Sequence, residues 1–432
     1  MDHSPFTASS RASASRRAIA AAIAAVPLAA LLRLPAADDA AAKKRRARPE
    51  HNVRGKNAVM CINGVTKRVP RAKRRKYVKR GATRGACPTC DCASGFLCCN
   101  NACVTAVWAN QTTFGSGPGA GPSQFAGPAR VAISRDTLTA WIADTVNQRI
   151  AVWTRPTSAS TAWTSQTTFG SGPGAGPNQF RAPAGLAASA DALTLWITDS
   201  NNDRISIWTR PTASSTAWSN QTTFGVNGSG VGQLTLPNDV ALSPDTLTAW
   251  VADTGNNRIS VWTRPSATST AWNNPTAFGS GPGAGPSQFD QPLGVAVSAD
   301  TLTVWVAEGR NNRISVWTRP SAASTTWSNQ TTFGSGPGAG PANFDAPASV
   351  AIAADALTAW IADSANDRIS VWSRPTASSA AWSPLTTFGT SGSGPANFAN
   401  PTGIALSPDD SVAWIADYSN DRISVWAAAC PA

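Results

Sequence analysis

The chain has 432 residues, 36 of them Lys or Arg and 24 Asp or Glu, for a formal net charge of +12; 42% of it is hydrophobic and only 14% charged. That balance excludes a highly charged disordered chain, a collagen and a coiled coil. His3 and His51 are the only histidines, so histidine catalysis is excluded from the bulk of the sequence.

The charge is unevenly placed. Residues 1–110 hold 21 Lys+Arg and 5 Asp+Glu, whereas residues 111–432 hold 15 Arg, no Lys and 19 Asp+Glu. The basic character therefore belongs to a head, and it implies no nucleic-acid surface on the faintly acidic body. Residues 1–42 read as an export signal. Arg11, Arg16 and Arg17 precede an apolar run from Ala18 to Leu32, followed by small residues such as Ala40-Ala41-Ala42. This is the n-, h- and c-region layout of a secretory peptide. Ser15-Arg16-Arg17-Ala18-Ile19 resembles a twin-arginine signal, without the aromatic and Leu often found after the arginines. An extracellular or cell-envelope location follows, with no transmembrane segment in the mature chain.

Residues 43–103 form a basic, Cys-rich segment. Lys43-Lys44-Arg45-Arg46 and Arg71-Ala72-Lys73-Arg74-Arg75-Lys76 are the densest charge runs in the 43–84 stretch. They suit adhesion to an anionic wall or membrane polymer, or simply form a solvated linker. The eight cysteines are Cys61, Cys87, Cys90, Cys92, Cys98, Cys99, Cys103 and Cys430, an even count that favours disulfides in an exported chain. Cys87-Pro-Thr-Cys90 has a zinc-ligand spacing, but no His lies near and Cys92, Cys98 and Cys99 complete no zinc frame. The stretch from Cys61 to Cys87 loosely resembles a small cysteine-flanked module of secreted bacterial proteins, which implies a Cys61–Cys87 pair. The pairing of Cys90, Cys92, Cys98 and Cys99 stays open.

From residue 104 to 432 the chain is periodic. Phe-Gly recurs at Phe114, Phe169, Phe224, Phe278, Phe333 and Phe388, so a repeat architecture is expected. Within one unit Gly294–Ser298, Thr303–Ala307, Arg313–Trp317 and Trp327–Phe333 are short, β-branched or aromatic, and bounded by turn residues. Four antiparallel strands per unit predict an all-β six-bladed propeller. The 18 Trp fall three to a unit, as Trp305, Trp317 and Trp327, and such repetition suits blade-to-blade core better than sugar platforms.

Val251-Ala-Asp-Thr-Gly-Asn-Asn-Arg-Ile-Ser-Val-Trp262, preceded by Phe-Gly, Pro and an aliphatic strand, resembles the NHL repeat, and the likeness recurs in all six units. Relatives of that kind bind proteins or RNA, and some six-bladed ones are lyases or lactone hydrolases with a metal in the channel. The acid and Arg of the motif stand five apart in every unit: Asp144 and Arg149, Asp199 and Arg204, Asp253 and Arg258, Glu308 and Arg313, Asp363 and Arg368, Asp417 and Arg422. Such pairs can bridge a tight turn whose Asn satisfies turn backbone groups, a structural role.

Ring closure is also predicted. The sixth unit lacks a fourth strand, and Trp108–Phe114 supplies a spare one that would cover the open edge. Nine residues separate the third- and fourth-strand Trp in five units, as 154–162 do. In the split unit 427–430 and 103–107 make up the same number. A Cys103–Cys430 disulfide would replace the missing link, with Cys98 or Cys99 as rival partners for Cys430.

The sequence thus points to an exported, non-catalytic binding or scaffold protein that presents a propeller surface to a protein or glycan of the envelope. No catalytic, cofactor or metal-ligating residue is assigned. The alternatives are a propeller enzyme with a carboxylate-ligated channel metal, for which Asp239 and Glu308 are the available acids, and adhesion through residues 43–84. Departures from the repeat mark specificity: Glu308, Arg310, Asn227, Asp290, Asp345 and Tyr418.

Overall fold

A computed structural model describes residues 57–62, 65–70, 83–84, 96–99 and 102–430, with side chains from 106 onward except 274 and 275. The export signal, both dense basic runs and the Cys87, Cys90 and Cys92 positions lie outside the described residues. The chain divides after Cys87. In the first unit Asn57–Ile62 lies between Val65–Pro70 and Thr83–Arg84 in an antiparallel sheet. Among the described residues no helix is long and apolar enough to cross a membrane.

The second unit opens with a hairpin of Phe96–Cys99 and Ala102–Thr105, in which Cys98 stands opposite Cys103. A six-bladed β-propeller follows. Blade one is Pro128–Ile133, Thr139–Asp144, Arg149–Thr154 and Thr164–Phe169, in that order across the sheet. Blades two to five repeat it from Pro183, Pro237, Pro292 and Pro347. Blade six takes Pro401–Leu406, Val412–Asp417 and Arg422–Ala429 from the C-terminal end and Val107–Phe114 from before blade one. Ile423 pairs with Phe114 and Ala429 with Val107, so the spare strand closes the ring as its sequence predicts. Elsewhere the fourth strand begins one residue after its Trp, at Ser328 for Trp327.

The core sits between blades because the two inner strands of each sheet are apolar on both faces. Ala140, Trp141, Ile142 and Ala143 are all fully buried. The fourth strand alternates, with Thr164, Gln166 and Thr168 exposed, since its outer edge faces solvent. Each fourth-strand Trp stacks on the Phe that ends the preceding blade, Trp163 on Phe114 and Trp108 on Phe388, at centroid distances of 5.0 and 5.2 Å. The Trp on the second strands, such as Trp250 and Trp305, have no exposed surface. Burial of one indole removes roughly 150–250 Å² from water, about 4–6 kcal/mol per residue at the usual area coefficient and an upper bound. The tryptophans are core.

Candidate functional site

The inner strands bring one position of each blade to the central axis: Arg130, Gly185, Asp239, Gly294, Ser349 and Gly403. Glycine occupies every second blade because the neighbouring backbone leaves no space. A Cβ on Gly185 would lie 2.6 Å from Asp239 Cα, and one on Gly403 2.8 Å from the Ala129 carbonyl. Into the space so spared reaches one guanidinium. Arg130 donates to the carbonyls of Leu293 at 3.0 Å and Ala348 at 2.8 Å, to the carbonyl of Thr402, and to Asn238 Oδ1 at 3.4 Å. Its Nε lies 3.6 Å from Asp239 Oδ2. A side chain of blade one therefore engages blades three, four, five and six.

Burial lowers the Arg130 pKa and raises that of Asp239, and each charge opposes the other's shift. Asp239 also accepts from the Val240 and Val295 amides, at 3.0 and 3.1 Å. This is where a carboxylate-ligated channel metal would sit, and the residues do not fit one. Asp239 is committed to a cation, and among the described residues no group of three or more His, Cys, Asp or Glu could hold a metal.

On one face of the ring the six acid–Arg pairs are formed: Arg149 with Asp144, Arg204 with Asp199, Arg258 with Asp253, Arg313 with Glu308, Arg368 with Asp363 and Arg422 with Asp417. Their Nε to carboxylate distances are 2.6–2.9 Å. All six acids are fully buried. Burial pushes their pKa values up, while backbone, Asn and Arg donors pull in the opposite direction. In Asp144 one oxygen accepts from the Ala126 amide at 2.7 Å and the other from Asn147 and Arg149. Glu308 carries an extra methylene in the same slot and also accepts from Ser315 Oγ.

These groups also reach beyond their own turn. In every blade the Asn joins the acid to a glycine carbonyl of the Gly-rich loop, as Asn147 does to Gly119 at 2.8 Å. The Arg extends the same link. Its Nε is held by the acid, which leaves both Nη groups to reach carbonyls of the preceding loop. Arg149 donates to Ala120, Gly121 and Gln124, and Arg204 to Ala175, Gly176 and Gln179. Arg258 donates to Ser229, Gly230 and Gln233, and Arg368 to Ala339, Gly340 and Asn343. Arg313 and Arg422 repeat the pattern. The charges of this face thus tie the Gly-rich loops down.

A second set of contacts escaped the sequence reading. The residue before each Arg is left-handed: Gln148, Asp203, Asn257, Asn312, Asp367 and Asp421, at φ from 51° to 56°. Asn and Asp tolerate that region better than most residues. Each accepts from a backbone amide of the next blade at 2.6–2.8 Å, Asp421 from Gly127 across the closure. The signal was an Asn, Asp or Gln at one fixed place in the repeat.

The predicted specificity positions lie on this face but do not converge on one pocket. Arg310 and Asp290 pair at 3.7 Å, with Arg310 largely exposed. Asn227 donates to Asp203 at 2.8 Å. Asp345 offers its amide to Asp363 and its carbonyl to Ala365. Tyr418 lies against Gly127, where a Cβ would come within 2.7 Å of its ring; burial raises its pKa and Asp421 adds to the rise. Glu308 is paired and buried. Arg130 belongs to no motif of the repeat and carries no signal of its role in the sequence.

The opposite face carries the hairpins between first and second strands and the Ser/Thr-rich links. Arg155, Arg210, Arg264, Arg319 and Arg374 each lie over two Trp rings, one from their own blade and one from the blade before, at 5.0–5.7 Å. In blade six Ala428 takes this position, its amide donating to Ser411 O as that of Arg155 does to Leu138 O.

These features define a six-bladed β-propeller with a bolted channel. Residues 289–317 match the family model of the NHL repeat, and the chain is a six-bladed propeller that carries that repeat. No curated protein matches the chain. Among solved structures, a functionally unknown protein from Desulfotomaculum acetoxidans DSM 771 is similar with 12% identity and a TM-score of 0.47, over 69% of this chain and 82% of that one. A "putative 6-phosphogluconolactonase" from Bacteroides fragilis NCTC 9343 is similar with 12% identity and a TM-score of 0.47, over 70% of this chain and 80% of that one.

Proposed function

We propose that the protein is an exported, non-catalytic binding or scaffold protein of the cell envelope or exterior, whose propeller presents its surface to a protein or glycan partner. The observation that carries this reading is the bolted channel. The axis of the ring, where a propeller enzyme would seat a metal and substrate, is crossed by the Arg130 side chain, which is bonded to backbone of other blades. Saturation of the acid–Arg pairs supports the same reading. Groups with two or three short internal bonds each are poorly placed to move protons, and six equal copies favour a repeated surface over a single reaction centre.

The test is affinity capture from the envelope fraction with the full chain, beside a variant carrying Asn227→Ala, Asp290→Ala, Arg310→Ala and Asp345→Ala. A partner retained by the wild type and released by the variant is the expected result. A lactone hydrolase or lyase activity that is reversed by EDTA and lost in Glu308→Gln would overturn the proposal.

A further inference from the structure

On the hairpin-and-link face the junctions between blades open as clefts, and two of them share four lining positions of the repeat. The cleft between blades six and one, about 450 Å³, is lined by Asp409, Trp414, Thr137 and Arg155. That between blades two and three, about 300 Å³, is lined by Asp191, Trp196, Asp245, Thr246 and Arg264. Asp245 aside, these residues hold the same places in the repeat: an acid in the hairpin of one blade, the Trp of its second strand, and a hairpin Thr and rim Arg of the next. Such volumes are at the lower end for small-ligand sites.

We propose that these clefts bind neutral glycans, one unit to a junction, so that the propeller is a multivalent glycan-binding ring. This rests on the binding reading above and assigns a ligand to the face opposite the one that the capture variant alters. The cleft chemistry selects the class. Arg155 lies over Trp163 and Trp414 and donates to the Thr137 carbonyl, Thr137 Oγ1 and the Ser160 carbonyl at 2.7, 2.7 and 3.2 Å. A guanidinium has five N–H donors, and these bonds leave two of them uncommitted among the described residues. Across the cleft Asp409 Oδ1 accepts from Ser407 and Ser411, and a carboxylate has a second oxygen to offer.

Each wall sets one guanidinium against carboxylate, Asp409 in the first cleft and both Asp191 and Asp245 in the second, so neither wall is net positive. Such walls repel a phosphate-rich ligand at the acids and a cationic one at the Arg. The indoles beneath are fully buried, so no aromatic face is open to a lipid chain, and the apolar part of each wall suits the C–H faces of a sugar ring. Vicinal hydroxyls, which donate to a carboxylate and accept from a guanidinium, match both. The arrangement of rim Arg and preceding acid recurs at five junctions, with Asp409, Asp136, Asp191, Asp245 and Asp300 as the acids. The sixth junction has Ala428 in place of Arg.

The experiment is biolayer interferometry on the immobilised full chain. The probes are maltotriose, cellotriose and mannotriose, free and as polyacrylamide conjugates, with mannose 6-phosphate conjugate as the anionic control. Weak binding of at least one free trisaccharide is expected, with a conjugate on the order of 10²–10⁴-fold tighter. Asp→Asn at all five acids, which keeps an acceptor for the hairpin Ser, should weaken the conjugate at least tenfold. The single variants Asp409→Asn and Asp191→Asn should each lower avidity in part, which serves if the fivefold variant does not fold. Three results overturn the proposal: no neutral conjugate binds, the Asn variants bind as the wild type does, or the phosphorylated conjugate binds tightest. The envelope capture above reads the opposite face, so its partner survives such a failure if only the glycan assignment is wrong.

Discussion

At the scale of single residues, Arg130 and Asp239 are the strongest case of a group whose energetics depend on its partner. Desolvation acts against both charges, and their attraction at 3.6 Å together with the carbonyl bonds offsets it. Loss of one member leaves the other buried and uncompensated, at about 3–5 kcal/mol, whereas replacement of both by apolar side chains can be near neutral. Arg130→Met should therefore destabilise the ring by that amount in urea denaturation followed by Trp fluorescence. Arg130→Met combined with Asp239→Leu should recover most of the loss. Equal losses in the single and double variants would show that the two charges do not act as a pair. The residue was illegible in the sequence for a physical reason. A lone Arg in an apolar strand says nothing about where it points, and its partners come from inner strands more than a hundred residues away. The acid–Arg pairs were legible because both members sit on one hairpin, five residues apart. The reach of Arg204, Arg258 and Arg368 into the loops before them was not, because those carbonyls belong to backbone 25–29 residues earlier and carry no side-chain signal.

At the scale of elements, the closing strand replaces what the repeat omits in blade six. Ala428 forgoes a cation over Trp108 and Trp360, a contact worth about 0.5–2 kcal/mol elsewhere in the ring. The third strand instead runs on to Ala429, and Ala427, Ala428 and Ala429 pair with Ala109, Trp108 and Val107. That extension carries the chain to Cys430, which is disulfide-bonded. The proposed partner Cys103 lies in the strand Ala102–Thr105, just ahead of the closing strand, and its side chain falls outside the described residues. Peptide mapping under non-reducing conditions should recover 430 joined to 103. A link to Cys98 or Cys99 would end the proposal, and both stay in contention because Cys98 is opposite Cys103 in the hairpin. Reduction should lower stability by up to about 4–5 kcal/mol, as the loop it closes spans nearly the whole ring. The closing strand was legible because Trp108–Phe114 repeats the fourth-strand motif ahead of the first unit while the sixth unit lacks one. The left-handed acceptors before each Arg, such as Asp421, were not, since a left-handed backbone position shows in sequence only as a mild preference for Asn or Asp.

At the scale of the whole molecule, two bodies of opposite electrostatic character share one chain. The ring contributes 15 Arg against 19 acids beyond residue 110, and six of each are locked in pairs. Its long-range field is therefore weak, and recognition by the ring depends on contact. The head carries 21 basic residues within 110, so attraction to an anionic polymer is expected to act through it, over a Debye length of about 8–10 Å at ordinary ionic strength. Fractionation separates the two contributions. At low salt the full chain should sediment with envelope material, and washing with about 1 M NaCl, where the Debye length falls to about 3 Å, should release it. Deletion of residues 43–84 should abolish the low-salt retention while leaving ring-dependent capture of the partner unchanged. Retention that survives both the wash and the deletion would place adhesion on the ring instead, and the basic head would then be a solvated spacer.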